Sequence, residues 1–443
     1  MGILKDLYFT NRFFRIIIML ILGMIIAYLI PSLFPIVVSA TIIFVIIVLY
    51  EAILLFKEKE GLTARRFLPK KLSNGDFNDA QILVNNNYDY NVSVQIIDEL
   101  PFQFQYRESN WDLKMDPGTE KLIHYQLKPL KRGEYHFGSI NLYASVFSNM
   151  VQKRFTMKTS SMVPVYPSII QMRKYEYAAI SNRLHEFGVK KVRKIGHSLE
   201  FEQIRNYIPG DDPRSINWKA TARVNNLMIN NFQDEKSQPI YCIVDKGRMM
   251  RFPFGGLSLL DYSINASLVL SNIALKKGDK SGIITFSNKL SSVLPANKKP
   301  GQLKKILEIL YNQKTLYKES NFELLSLFVQ KTIRQRSLLI LFTNFESLTS
   351  FQRQLPFFSQ LKKFHTVVIV FFKNKELAEF IQKDSDSQKE IYSKAIAEEY
   401  ENDKYLIVRE LQKHGIYSIL TYPENLTINT INKYLEFKAK GIF

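Results

Sequence analysis

Residues 13–30 read FFRIIIMLILGMIIAYLI and residues 33–56 read LFPIVVSATIIFVIIVLYEAILLF, with Arg15 and Glu51 as the only charged residues in either run. Each run reaches the roughly 20 apolar residues that a helix needs to cross the hydrocarbon core of a bilayer. Two prolines punctuate the uncharged connection, which is typical of a tight turn. The sequence therefore predicts an N-terminal transmembrane helical hairpin.

Basic residues flank both runs on the side away from the connection. They are Lys5, Arg12 and Arg15 before or within the first run and Lys57, Lys59, Arg65, Arg66, Lys70 and Lys71 after the second. Because Lys and Arg accumulate on the cytoplasmic side of membrane helices, both ends are expected there. The expected location is a bacterial inner (cytoplasmic) membrane, with the lipid bilayer as one partner and the soluble body in the cytoplasm. A signal peptide is disfavoured by the second run, and a buried soluble hairpin is the other alternative.

The composition restricts the chemistry of the chain. Its 60 Lys and Arg residues exceed its 41 Asp and Glu residues, giving a formal charge of +19. This excess favours an acidic protein, nucleic acid or anionic lipid as a partner, or simple solvation. Cys242, the single cysteine, lies in an apolar run and is expected to be buried, so a disulfide within the chain is excluded. The six histidines show no metal-ligand spacing.

At 443 residues the chain is too long for one hydrophobic core. Residues 1–59 hold the predicted transmembrane hairpin. Residues 60–168 contain short alternating strands separated by turn residues, which predicts a β-sandwich-like domain. Residues 169–238 hold a basic linker around 190–194, interpreted as a solvated connection or as a binding patch, and a polar motif. Residues 239–443 alternate apolar strands with amphipathic helices, which predicts an α/β doubly wound domain.

The polar motif is a cluster of carboxylates, guanidinium groups and one tryptophan between residues 196 and 223. Its candidate motif or partner-docking residues are Glu200, Arg205, Tyr207, Gly210, Asp211, Asp212, Arg214, Trp218 and Arg223. The Pro-Gly-Asp-Asp-Pro run at 209–213 predicts a tight turn. The arginines can pair with the carboxylates and fix the segment to the domain beside it. A structural ion-pair network is favoured over a docking surface and over catalytic or metal-binding carboxylates.

The cluster and its flanking halves resemble the bacterial family known as domain of unknown function fifty-eight. The matching segments are the membrane hairpin, residues 131–135, 165–167, 207–223, 278–282, 286–287 and 434–436. Asn217 departs from the family pattern, which usually has Asp at that position. The resemblance implies membrane anchoring and a von Willebrand factor A-like fold for the C-terminal domain. It also implies that the protein acts together with a MoxR-type AAA+ ATPase in assembling or maturing protein complexes.

The resemblance further implies a divalent-cation site, at which this chain departs from the usual pattern of the fold. That pattern is an Asp-x-Ser-x-Ser loop, a hydroxyl from a second loop and an Asp after a later strand, which are oxygen ligands suited to Mg²⁺. The corresponding positions here are Asp245, Gly247, Met249, Ser320 and Asn344. Two hydroxyls and one carboxylate are missing, and Lys246 and Arg248 add positive charge. The sequence therefore predicts a degenerate site without a cofactor, with weak Mg²⁺ binding as the alternative.

The expected function is a membrane-anchored scaffold or adaptor for protein–protein interaction, not an enzyme. An ATPase partner would be a separate chain, because no Gly-x-x-x-x-Gly-Lys-Ser/Thr phosphate loop occurs here. One alternative is a metal-dependent enzyme that uses Glu200, Asp211 and Asp212. Another is binding of anionic lipid or nucleic acid by the basic linker. This last alternative is the least favoured, because the linker lacks a stacking platform of interleaved basic and aromatic residues, and nucleic acid is not an expected partner.

Overall fold

The computed structural model describes residues 6–105, 110–180, 200–209, 211, 213–233, 237–383 and 387–442. The chain divides into two compact units, Met1–Tyr166 and Pro167–Phe443. Of the residues singled out above, Gly210, Asp212 and the basic linker lie outside the described residues. The side chains of Glu200 and Arg214 also lie outside them.

The first unit begins with two apolar helices, α1 (Asn11–Leu29) and α2 (Phe34–Lys57). The mean hydropathy is 2.2 for the first helix and 2.8 for the second together with the turn before it. Both are long and apolar enough to cross a membrane, by length and composition. The prediction of two apolar N-terminal helices is therefore confirmed.

The rest of the first unit is β-rich, as predicted. Its strands are β1 (Leu7–Phe9), β2 (Leu62–Phe67), β3 (Leu72–Ser73), β4 (Asn78–Asn86), β5 (Val92–Asp98), β6 (Asn110–Met115), β7 (Glu120–Leu127), β8 (Gly133–Phe137), β9 (Ile140–Ser145), β10 (Val151–Met157) and β11 (Ser161–Tyr166). They form a sheet in the order β1-β10-β9-β5-β6 and two smaller sheets, β2-β4-β7 and β3-β11-β8. Apolar side chains of β2, β4 and β7 share one buried core with those of β5, β9 and β10.

The helical hairpin is joined to this β-rich body at both of its ends. Before α1 begins, β1 pairs with β10. At the end of α2, the Tyr88 hydroxyl donates to the Leu55 carbonyl over 2.8 Å, and Lys153 Nζ donates to the same carbonyl over 3.1 Å. Glu51, fully buried in α2, accepts hydrogen bonds of 2.7 Å from the backbone N–H and the hydroxyl of Ser148. These bonds satisfy a carbonyl that a helix end otherwise leaves open and fix the hairpin to the body.

The second unit is built on one large sheet. Its elements are α3 (Ile169–Ile180), β12 (Glu200–Asn206), α4 (Trp218–Val224), β13 (Met228–Gln233), β14 (Pro239–Asp245), β15 (Pro253–Phe254), β16 (Leu257–Ser258), α5 (Leu259–Lys276), β17 (Lys280–Phe286), β18 (Leu290–Asn297), α6 (Gln302–Tyr311), α7 (Phe322–Thr332), β19 (Leu338–Phe342), α8 (Leu348–Lys362), β20 (Thr366–Phe372), α9 (Lys375–Gln382), α10 (Gln388–Lys413), β21 (Tyr417–Thr421) and α11 (Leu426–Lys440). The strand order is β18-β17-β14-β19-β20-β21, with β18 antiparallel to β17 and the other neighbours parallel. The apolar strands predicted to alternate with helices over residues 239–443 are β14, β17, β19, β20 and β21.

Helices cover both faces of this sheet. Alternate residues of β14 belong to two separate cores, because successive side chains of a strand point to opposite faces. The core that contains Cys242 also contains side chains of α5, α6 and α11. The core that contains Ile243 also contains side chains of α7, α8 and α10. Cys242 is fully buried in this arrangement.

Parallel strands bring their carboxyl ends to one edge of the sheet. β14 ends at Asp245, which lies beside Phe286 at the end of β17. Val244 pairs with Phe342 at the end of β19. The loops that follow these three strands therefore meet at one edge, which is where open α/β sheets place their binding groups.

Candidate functional site

The carboxylate of Asp245 joins three loops at the carboxyl edge of the sheet. Its Oδ1 accepts a hydrogen bond of 2.8 Å from the Gly247 backbone N–H and another from the Ser320 hydroxyl. Its Oδ2 accepts a hydrogen bond of 2.7 Å from the Thr343 hydroxyl. The residue is 1% exposed. Both oxygens therefore have protein donors, and we call these four residues the Asp245 centre.

Burial and hydrogen bonding act in opposite directions on this carboxyl group. Burial raises the pKa of Asp245, and the donors Ser320, Gly247 and Thr343 oppose that rise by stabilising the charged form. Within the described residues, no group of three or more His, Cys, Asp or Glu side chains is placed to hold a metal ion. The geometry makes Asp245 an acceptor that fixes the loops after β14 and β19 to the loop before α7.

Gly247 has a steric role that the sequence alone does not show. A Cβ atom at this position would lie 2.1 Å from Ser320 Oγ and 3.1 Å from Asp245 Oδ1. A serine here, as in the usual metal loop of the resembling fold, would displace the Ser320 hydroxyl from the carboxylate. The glycine therefore permits the hydroxyl of Ser320 to take the place beside Asp245.

Asn344, at the position of the missing carboxylate, has a partner that the sequence analysis missed. Lys404 of α10 is 6% exposed, and its Nζ donates to Asn344 Oδ1 over 2.9 Å and to the Phe345 carbonyl. Burial lowers the pKa of Lys404 to about 8. A signal was available, because Lys404 shares the buried stripe of α10 with Ala397 and Leu411 at spacings of seven residues.

Beside the Asp245 centre lies an open groove of about 670 Å³, which we call the edge groove. It is lined by Arg248, Met249, Arg251, Phe252, Pro253, Tyr317 and Glu346. Arg248 Nη2 lies 3.4 Å from Glu346 Oε2 and 3.6 Å from Glu319 Oε1. Lys246, which the sequence analysis counted as a charge at this site, is only 7% exposed. The positive charge that lines the groove therefore comes from Arg248 and Arg251.

The polar motif forms a separate element, in which β12 and β13 pair as antiparallel strands with α4 in the connection between them. Arg205 donates two hydrogen bonds to Asp211, of 2.8 and 2.7 Å. The hydrogen bond from Arg205 is the main cause that lowers the pKa of Asp211, assisted by the backbone N–H of Ile208. The Arg205 and Asp211 side chains are 32% and 20% exposed. This pair closes a turn within the segment and does not fix it to the neighbouring domain.

The remaining described motif residues have structural or surface positions. The Tyr207 backbone N–H donates to the Leu227 carbonyl over 2.8 Å. Asn217 caps α4, since its side chain accepts from the Ala220 backbone N–H over 3.0 Å. Trp218 is 69% exposed, and Arg223 is exposed in the last turn of α4. In the part of the chain that the structure describes, no hydrogen bond or ion pair joins these residues to the Asp245 centre.

Comparison with known proteins gives one family and one relative. Residues 203–401 match the family described as "Protein of unknown function DUF58". The "Uncharacterized protein YeaD" of Bacillus subtilis (strain 168) is 26% identical over 190 residues, which cover 42% of this chain and 44% of the relative. The chain therefore matches less than half the length of that curated relative.

Two solved domains are similar to part of this chain. The CARDB domain of the PF1109 protein from Pyrococcus furiosus is 17% identical and has a TM-score of 0.17, covering 24% of this chain and 91% of that domain. A PapD-like domain of human CEP192 is 11% identical with a TM-score of 0.18, covering 23% of this chain and 84% of that domain.

Proposed function

Because residues 203–401 belong to the DUF58 family, we propose that this chain is a membrane-anchored scaffold or adaptor that docks a protein partner at the carboxyl edge of its sheet. The second unit is proposed to have a von Willebrand factor A-like fold. The proposed partner is a MoxR-type AAA+ ATPase that assembles or matures protein complexes. The family resemblance suggests the ATPase as the partner, and the geometry of the sheet edge suggests where the partner docks.

The observation that carries the proposal is the combination of a closed centre and an open groove. Asp245 is saturated by Ser320, Thr343 and Gly247, so the loops at this edge are held in place by protein donors. The edge groove beside it exposes arginine and aromatic side chains, which are the residue types enriched at the energetic centres of protein interfaces. A fixed set of loops that presents such side chains is suited to docking.

The alternative of a metal-dependent enzyme has less support from the geometry. Asp211, one of its three proposed carboxylates, is already engaged by both terminal nitrogens of Arg205. A carboxylate neutralised in this way is a poor ligand for a cation. The other two, Glu200 and Asp212, have side chains outside the described residues. The basic linker, on which the lipid or nucleic-acid alternative depends, also lies outside them.

The proposed orientation can be tested on the full chain. We propose that α1 and α2 cross the bacterial inner membrane and that both ends lie in the cytoplasm, because basic residues flank the hairpin on both outer sides. A reporter fused after Phe443 should therefore be active in its cytoplasmic form and inactive in its periplasmic form. Activity of the periplasmic form would contradict the proposed placement.

Partner docking can be tested by photo-crosslinking in membranes. A photoreactive phenylalanine analogue replaces Phe252 in the edge groove or, as a control, Phe364. The two side chains are 51% and 60% exposed, and Phe364 precedes β20 and so lies at the opposite edge of the sheet. We expect crosslinks to an AAA+ ATPase from position 252 and none from position 364, identified by mass spectrometry. Crosslinks from position 364 alone, or none from either position, would exclude docking at the carboxyl edge.

A further inference from the structure

Among the described residues, Arg251 is the cation of the edge groove that has no acidic partner. Its guanidinium carbon lies 4.5 Å from the centre of the Tyr317 ring. Among the described residues no carboxylate forms an ion pair with it, whereas the neighbouring Arg248 lies near both Glu346 and Glu319. An arginine held by an aromatic ring keeps its in-plane donors free, and those donors match a carboxylate in a bidentate geometry.

Aromatic side chains flank this free guanidinium group. Phe252 is 51% exposed and Tyr317 is 73% exposed. Both line the same groove as Arg251. Exposed aromatic rings around an arginine provide apolar area that a partner can cover, and covering it excludes water from the ion pair at its centre. The groove is therefore suited to a segment that carries an apolar side chain next to an acidic one.

The acidic residues at the rim restrict the charge of the ligand. Glu346 lines the groove and Glu319 lies close to Arg248, with side chains 44% and 83% exposed. A phosphate group brings about two negative charges and a nucleic-acid strand brings several, so each meets more repulsion from these carboxylates than a single carboxylate does. A single carboxylate brings only one and can be placed on Arg251. The charge pattern favours a protein segment over a phosphorylated ligand or a polyanion.

We propose that the edge groove binds an Asp or Glu side chain of a partner protein directly through Arg251, without a metal ion between them. An apolar side chain next to that acidic residue packs against Phe252 and Tyr317. The arginine supplies the positive charge that a bound cation would otherwise present, while Asp245 stays occupied by its own hydrogen-bond donors. This inference rests on the proposed docking function and specifies the chemistry of the docked segment.

The test uses the full chain in phosphatidylcholine nanodiscs and a phage-displayed library of random twelve-residue peptides, cleared first on empty nanodiscs. We expect the selected peptides to be enriched in Asp or Glu next to an aromatic or aliphatic residue. The strongest peptide is then synthesised together with its Asp→Asn or Glu→Gln version. Selection that yields no binders, or binders without an acidic residue, would overturn the proposal.

Measuring the affinity of that peptide for arginine variants of the chain then tests whether Arg251 binds the acidic side chain. Arg251→Gln should weaken binding at least about tenfold, because a charge-assisted bidentate contact is lost. Arg334→Gln is the matched control, since Arg334 is exposed, lies just before β19 at the other edge of the sheet, and has no ion pair among the described residues. It should bind like the unaltered chain. EDTA should have no effect, and added salt should weaken binding.

Equal binding to both variants, or loss of binding in EDTA, would refute a metal-free role for Arg251. The outcome is separable from that of the docking proposal. If crosslinking at position 252 captures the ATPase while Arg251→Gln binds peptide normally, docking stands and the proposed chemistry fails. If peptides bind through Arg251 but no protein is crosslinked at position 252, the ligand chemistry of the groove stands and the proposed docking of a protein partner at this edge fails.

Discussion

Asp98→Ala is expected to destabilise the β-rich unit by about 3–5 kcal/mol, because it leaves a buried guanidinium group without a counter-charge. Asp98 and Arg66 have side chains that are 0% and 2% exposed. Arg66 donates to both carboxylate oxygens, over 3.2 Å from Nε and also from Nη2, and Tyr125 donates its hydroxyl to Asp98 over 2.7 Å. Arg66 also donates to the Gly138 carbonyl over 3.1 Å. Removing the carboxylate would disrupt this whole network.

Hydrogen exchange on the full chain in detergent measures the effect locally. Amide protection in β4 and β5 should fall in Asp98→Ala, while protection in the sheet of the second unit stays unchanged. Glu134→Ala is the control, because Glu134 lies in the same unit and is 61% exposed, and its carboxylate lies 4.0 Å from the His136 ring without an Arg or Lys partner among the described residues. That variant should change protection very little. A double variant, Arg66→Met with Asp98→Leu, should recover part of the loss, and no recovery would argue against an unpaired charge as the cause.

This ion pair also shows what the sequence could not predict. Arg66 was one of six basic residues assigned to the cytoplasmic flank of the second helix, and nothing in its neighbourhood distinguishes it from Arg65. Its burial depends on Asp98, 32 residues away, which reaches it only when β2 and β5 contribute to one core. An ion pair between residues this far apart in sequence forms only because their strands pack into one core. Composition and sequence spacing do not predict it.

The elements that the sequence did predict depend on local patterns. Apolar length alone identified α1 and α2, and continuous apolar runs identified the buried strands of the large sheet. The sequence did not indicate β18 (Leu290–Asn297), because its residues alternate between partly buried and exposed. A strand at the edge of a sheet is covered on one side only, so its apolar signal is weak.

In the candidate site, too, contacts between residues close in sequence are predictable and contacts between distant residues are not. Arg205 and Asp211 are six residues apart, and their pairing could be predicted from charge and spacing. Asp245 lies 75 residues from Ser320 and 98 from Thr343. The family resemblance led to Ser320, whereas Thr343 is not among the predicted site residues. The sequence does not single out Arg251, because an exposed arginine after a strand usually points into solvent, and only the structure shows that Tyr317 lies beside it.

Asp245→Ala is expected to lower the stability of the second unit by about 3 kcal/mol, because it leaves three donors without their acceptor at roughly 1 kcal/mol each. The donors are the Gly247 N–H and the hydroxyls of Ser320 and Thr343. Asp245→Asn should cost much less, since the amide oxygen still accepts and the amide nitrogen can donate to a hydroxyl. Thermal unfolding of the full chain in detergent, followed by near-ultraviolet circular dichroism, would rank the two variants.

The same pair of variants separates this structural role from cation binding. Asparagine preserves the hydrogen bonds but removes the charge that a divalent cation needs. If Asp245 serves only its three donors, millimolar Mg²⁺ should raise the melting temperature of neither the unaltered chain nor Asp245→Asn, since a ligand stabilises only above its dissociation constant. Calorimetry that reveals a saturable Mg²⁺ site in the unaltered chain and none in Asp245→Asn would contradict this expectation.

The pH dependence gives an independent measurement of the same carboxyl group. Burial raises the pKa of Asp245 in the folded chain, so the folded state binds a proton more readily than the unfolded state between the ordinary aspartate range and the raised value. The contribution of this group to stability should therefore fall as the pH rises through that window. Asp245→Asn has no carboxyl group to titrate at this position. Its melting temperature should therefore rise relative to that of the unaltered chain as the pH increases through this window. A difference that is independent of pH would mean that the hydrogen bonds from Ser320, Gly247 and Thr343 fully offset the burial of the charge.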